Sequence, residues 1–143
     1  MSKFRPGIDI AEFERRSCGR FPEFLGLRMV SVAEGSVRMR LELRPEHLAP
    51  NGYLHAAVVV GLADTACGYG TMAHLPEQAR GFTTIELKTN FLATALTGAL
   101  VCDATSVHLG RSTHVWDARV HAEASGQKIA LFRCTQMILW PQS

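Results

Sequence analysis

Hydrophobic and polar positions change their period along this chain, and the changes mark its elements. From Val37 to Arg44, apolar Val37, Met39, Leu41 and Leu43 alternate with Arg38, Arg40, Glu42 and Arg44, the period-two signature of a strand with one wet face. Leu27 to Ala33 precedes it across Glu34-Gly35-Ser36, so the two runs predict an antiparallel hairpin. Upstream, IDIAEFERRSC at residues 8–18 carries Ile8, Ala11 and Phe13 against Arg15 and Arg16. That short amphipathic pattern predicts a helix within an N-terminal segment, residues 1–20, closed by a turn-like Gly19 and Phe21-Pro22.

Tyr53 to Ala73, YLHAAVVVGLADTACGYGTMA, has no proline and one acid. A run that is apolar all round predicts a buried helix, here starting just after Asn51-Gly52 and stopped near His74, Leu75 and Pro76. Thr83–Leu92, Ala99–Leu109, Thr113–Ala122 and Ile129–Trp140 are strand-like and separated by Thr97-Gly98, Gly110-Arg111 and Ser125-Gly126-Gln127. Turns this tight require mostly antiparallel neighbours. The expected architecture is α+β: one domain over residues 1–143, with a curved, mostly antiparallel β-sheet around a long central helix. The last strand is apolar on both faces over much of its length, which predicts a central place in the sheet or a subunit contact.

Within the long helix, Gly61, Gly68 and Gly70 each cost roughly 1 kcal/mol relative to alanine, which points to close approach by the sheet or by a partner backbone. An aspartate among so many apolar residues is costly unless paired or hydrogen-bonded, which makes Asp64 the leading catalytic candidate. His55, at the helix start, stands nine residues away. At ~1.5 Å rise and about 100° per residue, the two side chains lie roughly 13 Å apart on opposite faces. A site using both needs two chains, and an antiparallel copy across a two-fold axis would supply His55 to Asp64 twice.

Composition narrows the function classes. A net charge of +2 and no basic run with interleaved aromatics argue against a nucleic-acid surface. The start, MSKFRPGIDIAEFERR, lacks the apolar core of a signal peptide, and the run Ala56 to Ala63 is too short to span a bilayer; the expectation is a cytoplasmic protein without a membrane partner. Cys18, Cys67, Cys102 and Cys134 sit inside apolar patterns without ligand spacing and read as buried free thiols. His47, His74, His108, His114 and His121 have no recurrent spacing either, so no metal is expected. Trp116 and Trp140 read as core or interface.

A helix preceded by Asn51-Gly52-Tyr53-Leu54-His55-Ala56-Ala57, carrying Leu62-Ala63-Asp64-Thr65-Ala66 and followed by TIELKTNFLA and the Gly110-Arg111-Ser112 turn, resembles the hotdog fold. More narrowly, the segments resemble the PaaI-like acyl-CoA thioesterases over most of the chain from Phe21 to Leu139. The resemblance implies that Asp64 is the catalytic carboxylate, either activating water or attacking the thioester directly. It implies His55 beside the thioester, the Ala56 N–H as the donor polarising the carbonyl, and Thr84 in a supporting role near the carboxylate or the attacking water. Substrate binding falls to Asn51 and Gly52 and to the Gly110-Arg111-Ser112 turn, where Arg111 can pair with phosphate of coenzyme A. No cofactor is implied beyond coenzyme A in the substrate, and the expected assembly is a homodimer or a dimer of dimers.

The chain departs from the family pattern in two places. His-Gly-Gly reads His55-Ala56-Ala57 here, which keeps the backbone donor while narrowing the space, and Ala49 stands where many relatives carry asparagine or glutamine. The leading function is hydrolysis of a small aromatic or short- to medium-chain acyl-CoA in a dimer-interface site. Its rivals are a hotdog enoyl-CoA hydratase or dehydratase and a non-catalytic acyl-CoA binding module.

Overall fold

The alternation around Val37 is realised as a hairpin. β1 (Leu27–Ala33) and β2 (Ser36–Glu42) pair antiparallel about Gly35, whose φ of +71° suits glycine, with Val37, Met39 and Leu41 buried. The computed structural model describes residues 3–143; Met1 and Ser2 of the predicted N-terminal segment lie outside the described residues. Ahead of the hairpin come α1 (Ile10–Ser17) and α2 (Phe21–Leu25), and after it α3 (Ala56–Ala73). β3 (Gly81–Phe91), β4 (Ala99–Leu109), β5 (Thr113–Ala122) and β6 (Lys128–Leu139) complete the chain. Among the described residues the strands form one six-stranded antiparallel sheet in the order β1-β2-β4-β5-β6-β3, wrapped around α3. This is the expected curved sheet around a central helix, and β6 has the interior place that its apolar faces predicted.

α3 is apolar on nearly every face because the sheet surrounds it. Its length and mean hydropathy of 1.2 match a membrane span, yet 61% of it is buried inside the fold, which makes it a core helix. Trp116 on β5 is fully buried, and an added Cβ at Gly70 would meet its ring carbons at 2.6 to 2.8 Å. The sheet approaches two of these glycines as expected, through Trp116 at Gly70 and Phe82 at Gly68, while Gly61 is met by Leu25 and Phe21 of α2. Gly70→Ala is expected to destabilise the fold by ~2 to 3 kcal/mol, because a buried indole cannot swing aside without disturbing its neighbours. The urea midpoint would read this, and an unchanged midpoint would mean that the Trp116 ring has room.

Four expectations need correction. α3 begins at Ala56, three residues later than the apolar run suggested, because Asn51-Gly52-Tyr53 forms a turn (Gly52 φ +86°) and Leu54 bridges to Leu48. Phe21-Pro22, read as a turn, opens α2, with proline in its first turn and Gly26 closing it at φ +86°. Cys18 is exposed, whereas Cys67, Cys102 and Cys134 are buried as expected. β2, β3 and β6 start and stop one or two residues earlier than their expected runs. On the outer face of the sheet the arginines form ion pairs, Arg38–Asp103 at 2.6 Å, Arg40–Glu123 at 2.6 Å and Arg133–Asp117 at 2.5 Å; exposed pairs of this kind add little stability.

Candidate active site

α3 leaves one stripe uncovered by the sheet, and Asp64 lies on it with Gly61, Val60 and Ala57. These positions are three, four and seven residues from Asp64, which is the spacing of one helical face. The carboxylate is anchored from β3, where the Thr84 hydroxyl stands 2.9 Å from Asp64 Oδ1 and 2.9 Å from Gln136 Oε1 on β6. A hydroxyl carries one proton. If Thr84 donates it to the carboxylate, Gln136 must present its NH₂ instead of its oxygen, an exchange that leaves the shape of the amide unchanged. The turned amide would place Oε1 toward Cys134 Sγ, which stands 3.4 Å from Nε2, where the thiol can donate. A directed chain from Cys134 through Gln136 and Thr84 to Asp64 then satisfies every group. Burial pushes the Asp64 carboxyl above the usual carboxylate range, opposed by the hydrogen bonds of Thr84 and Gln136. A carboxylate held so is a stronger base than one in water.

Gln136 is a member of this site that the sequence reading missed. It is fully buried, at an inward-facing position of β6 between Cys134 and Ile138. An amide on an otherwise apolar inward series was the signal available.

His55 and Ala56 stand at the N-terminal end of α3. His55 is the N-cap of α3, with extended backbone, and its Nδ1 accepts from Ala57 N–H at 3.0 Å. An accepting Nδ1 leaves Nε2 as the protonated nitrogen of the neutral ring, turned outward as a donor. Val58 N–H goes to His55 O, while Ala56 N–H has no partner among the described residues and is exposed. A free amide on the first turn carries the positive end of the helix dipole. The loop before the cap is fixed by buried His47, whose O accepts from His55 N–H at 3.0 Å, whose Nδ1 accepts from Arg44 N–H, and whose Nε2 lies 2.8 Å from Leu25 O at the end of α2. Among the described residues no hydrogen bond or ion pair joins Asp64 and His55 of one chain.

The two groups of expected substrate-binding residues lie apart. Asn51 Oδ1 is occupied by Tyr53 N–H at 3.2 Å in an exposed turn, and Ala49 contributes only its backbone, to Tyr53 and Gly52. Gly110, Arg111 and Ser112 form the β4–β5 turn at the C-terminal end of α3. There Trp140 Nε1–H donates to Arg111 O at 3.2 Å, and the Arg111 guanidinium lies 4.4 Å over the Trp140 ring. Arg111 borders a cavity of about 900 Å³ with Lys3, Arg5, Trp140 and buried His114. Burial lowers His114 to about 4, so the positive charge there comes from the lysine and the arginines. Among the described residues no cluster of three His, Cys, Asp or Glu side chains is placed to hold a metal ion.

Comparison with known proteins identifies the family and the fold. The family model of the thioesterase superfamily matches residues 51–129. The chain is 32% identical over 113 residues to a 1,4-dihydroxy-2-naphthoyl-CoA hydrolase of Listeria monocytogenes, covering 79% of this chain and 90% of that protein. A mutant thioesterase from Pseudomonas aeruginosa superimposes with a TM-score of 0.91 at 24% identity, over 98% of this chain and 100% of the other. A mutant thioesterase of Staphylococcus aureus does so with a TM-score of 0.79 at 28% identity, over 84% and 98%.

Proposed function

Since the chain belongs to the thioesterase superfamily, with its hotdog fold, and is thereby a thioester hydrolase, we propose that it cleaves acyl-CoA thioesters in a site shared by two subunits. The observation that carries this reading is the half-buried Asp64 carboxylate on the uncovered stripe of α3, held by Thr84 and Gln136. The thioester carbonyl lies against Ala56 N–H of the partner subunit, which takes the negative charge of the tetrahedral intermediate; one aimed donor of this kind is worth about 2.7 to 4 kcal/mol. Asp64 accepts a proton from the attacking water, or adds directly to the carbonyl carbon to give an anhydride that water then cleaves. Its raised pKa favours the base role. Nε2–H of His55 of the partner subunit orients the thioester. Collapse of the intermediate breaks the carbon–sulfur bond and releases a carboxylic acid and the coenzyme A thiol.

Two features support pairing of subunits. β3 ends the sheet as a strand of 11 residues, with Ile85, Leu87 and Phe91 51%, 42% and 50% exposed. A long apolar edge of this kind invites aggregation unless a second chain covers it. The other is the spacing of His55 and Asp64 along α3, which keeps them from meeting within one chain. The nucleotide of coenzyme A would lie along the cavity beside Arg111, Lys3 and Arg5, where phosphates meet guanidinium and ammonium groups. The Listeria relative acts on a naphthoyl-CoA, which favours aromatic acyl groups among the small aromatic and short- to medium-chain candidates. The cytoplasm, where acyl-CoA is made and used, suits this reading. The test is thiol release from a panel of aliphatic and aromatic acyl-CoA substrates plus an enoyl-CoA. Release of free thiol supports hydrolysis. Hydration of the enoyl group with the thioester intact, or tight binding without turnover, overturns it.

A further inference from the structure

Beside Asp64, on the same uncovered stripe, α3 carries Gly61, and α2 uses the missing side chain. A Cβ at Gly61 would lie 2.7 Å from Leu25 Cδ1 and 3.2 and 3.4 Å from ring atoms of Phe21. Gly61 thus brings α2 against the helix one turn, about 5 Å, before the carboxylate. Leu25 is buried there, but Phe21 is 56% exposed and Phe24 72% exposed, an unusual way to present two phenyl rings. α2 is not free to drift. Leu25 O is bound by His47, Phe24 O accepts from the Arg44 guanidinium, and Gly26 N–H closes the helix on Pro22 O and Glu23 O. Because His47 also holds the His55 loop, α2 is braced to the start of α3 as well.

From this placement, and resting on the hydrolase reading above, we infer that Phe21 and Phe24 form the wall that selects the acyl group. An acyl group whose carbonyl sits at Asp64 starts roughly one helical turn from the Phe21 ring. An acetyl group ends short of that distance, whereas a benzoyl or hexanoyl group reaches it and covers the phenyl face. Apolar area hidden from water against an aromatic ring favours the longer or aromatic acyl chain, and flat groups gain further from ring stacking. Gly61 is the position that sets this distance, since any side chain there would drive Phe21 outward. The rings act by discrimination and touch no reacting atom.

The experiment is thiol release from acetyl-, hexanoyl- and benzoyl-CoA by the wild-type protein and by Phe21→Ala, Phe21→Trp and Phe24→Ala. Phe21→Ala should lower the benzoyl-to-acetyl and hexanoyl-to-acetyl ratios of kcat/KM by about 10- to 100-fold, the range for one apolar contact in a specificity pocket. Phe21→Trp should keep the ratios above those of Phe21→Ala. Phe24→Ala, whose ring is mostly in solvent, should lower the same ratios in a protein that retains its melting temperature, so that a loosened α2 in the Phe21 variants would not decide the matter. Equal loss for all three substrates, or unchanged ratios in both alanine variants, would overturn the wall while leaving hydrolysis by the wild type intact. Absence of release from every substrate by the wild type would overturn the hydrolase reading, and the wall with it.

Discussion

Asp64→Asn is expected to lower turnover of the best acyl-CoA by ~10²-fold or more, the scale of a positioned base or nucleophile, in a protein that keeps its fold. Asparagine fills the same space and can still pair with Thr84 and Gln136, which reach residue 64 from β3 and β6. Its stability should move the other way. Burial raises the Asp64 pKa in the folded chain, so on raising the pH the unfolded chain loses this proton first. Stability therefore falls as pH rises from the ordinary carboxylate pKa through the raised one, and the full penalty persists above it. A neutral amide escapes that penalty, so the variant should be more stable than the wild type at neutral pH, with the advantage shrinking on acidification. Denaturant titrations at neutral and acid pH measure this. Activity, which needs the carboxylate, should fail on acidification through the same raised pKa, and Thr84→Val, which removes a hydrogen bond that lowers it, should move that acid limb to higher pH. Near-normal turnover by Asp64→Asn would remove this residue from the mechanism.

The parts of the fold legible in the sequence were those whose pattern is local. β4 and β5 matched their predicted limits because Thr97-Gly98, Gly110-Arg111 and Ser125-Gly126-Gln127 bound them tightly. α3 was visible as a long run without proline, yet its start was misplaced, since what ends the loop is a capping bond from Ala57 N–H to His55 Nδ1 and not a change in hydropathy. α2 escaped notice because five residues are too few to show a helical period. In the site, Asp64 announced itself as an acid in apolar surroundings, and Thr84 came with the family resemblance. Gln136 did neither. It meets Thr84 from 52 residues away, and only the pairing of β6 with β3, in which Thr84 lies opposite Gln136, brings the two together. His47 was invisible for a similar reason: its bracket joins Leu25, Arg44 and His55, which no spacing rule connects.

The shared site makes a stronger demand than any single variant. His55 caps α3 and Asp64 lies nine residues on, so the helical rise from Ala56 to Asp64, roughly 12 Å, separates them within one chain. In the proposed two-fold dimer each site would take Asp64 from one subunit and His55 from the other. Asp64→Asn and His55→Ala, each of low activity alone, should therefore complement when mixed, unfolded and refolded together. In the mixed dimer one site carries both defects, while the other has an intact Asp64 from the His55→Ala subunit and an intact His55 from the Asp64→Asn subunit. Random pairing makes about half of the dimers mixed, each with one good site of two, so activity should return to about a quarter of wild type. The refolded homodimers, assayed separately and summed, should stay low. If mixing restores nothing while the oligomer forms normally, His55 and Asp64 do not serve one site across the interface, and the thioester would have to be polarised from within the subunit that supplies the carboxylate.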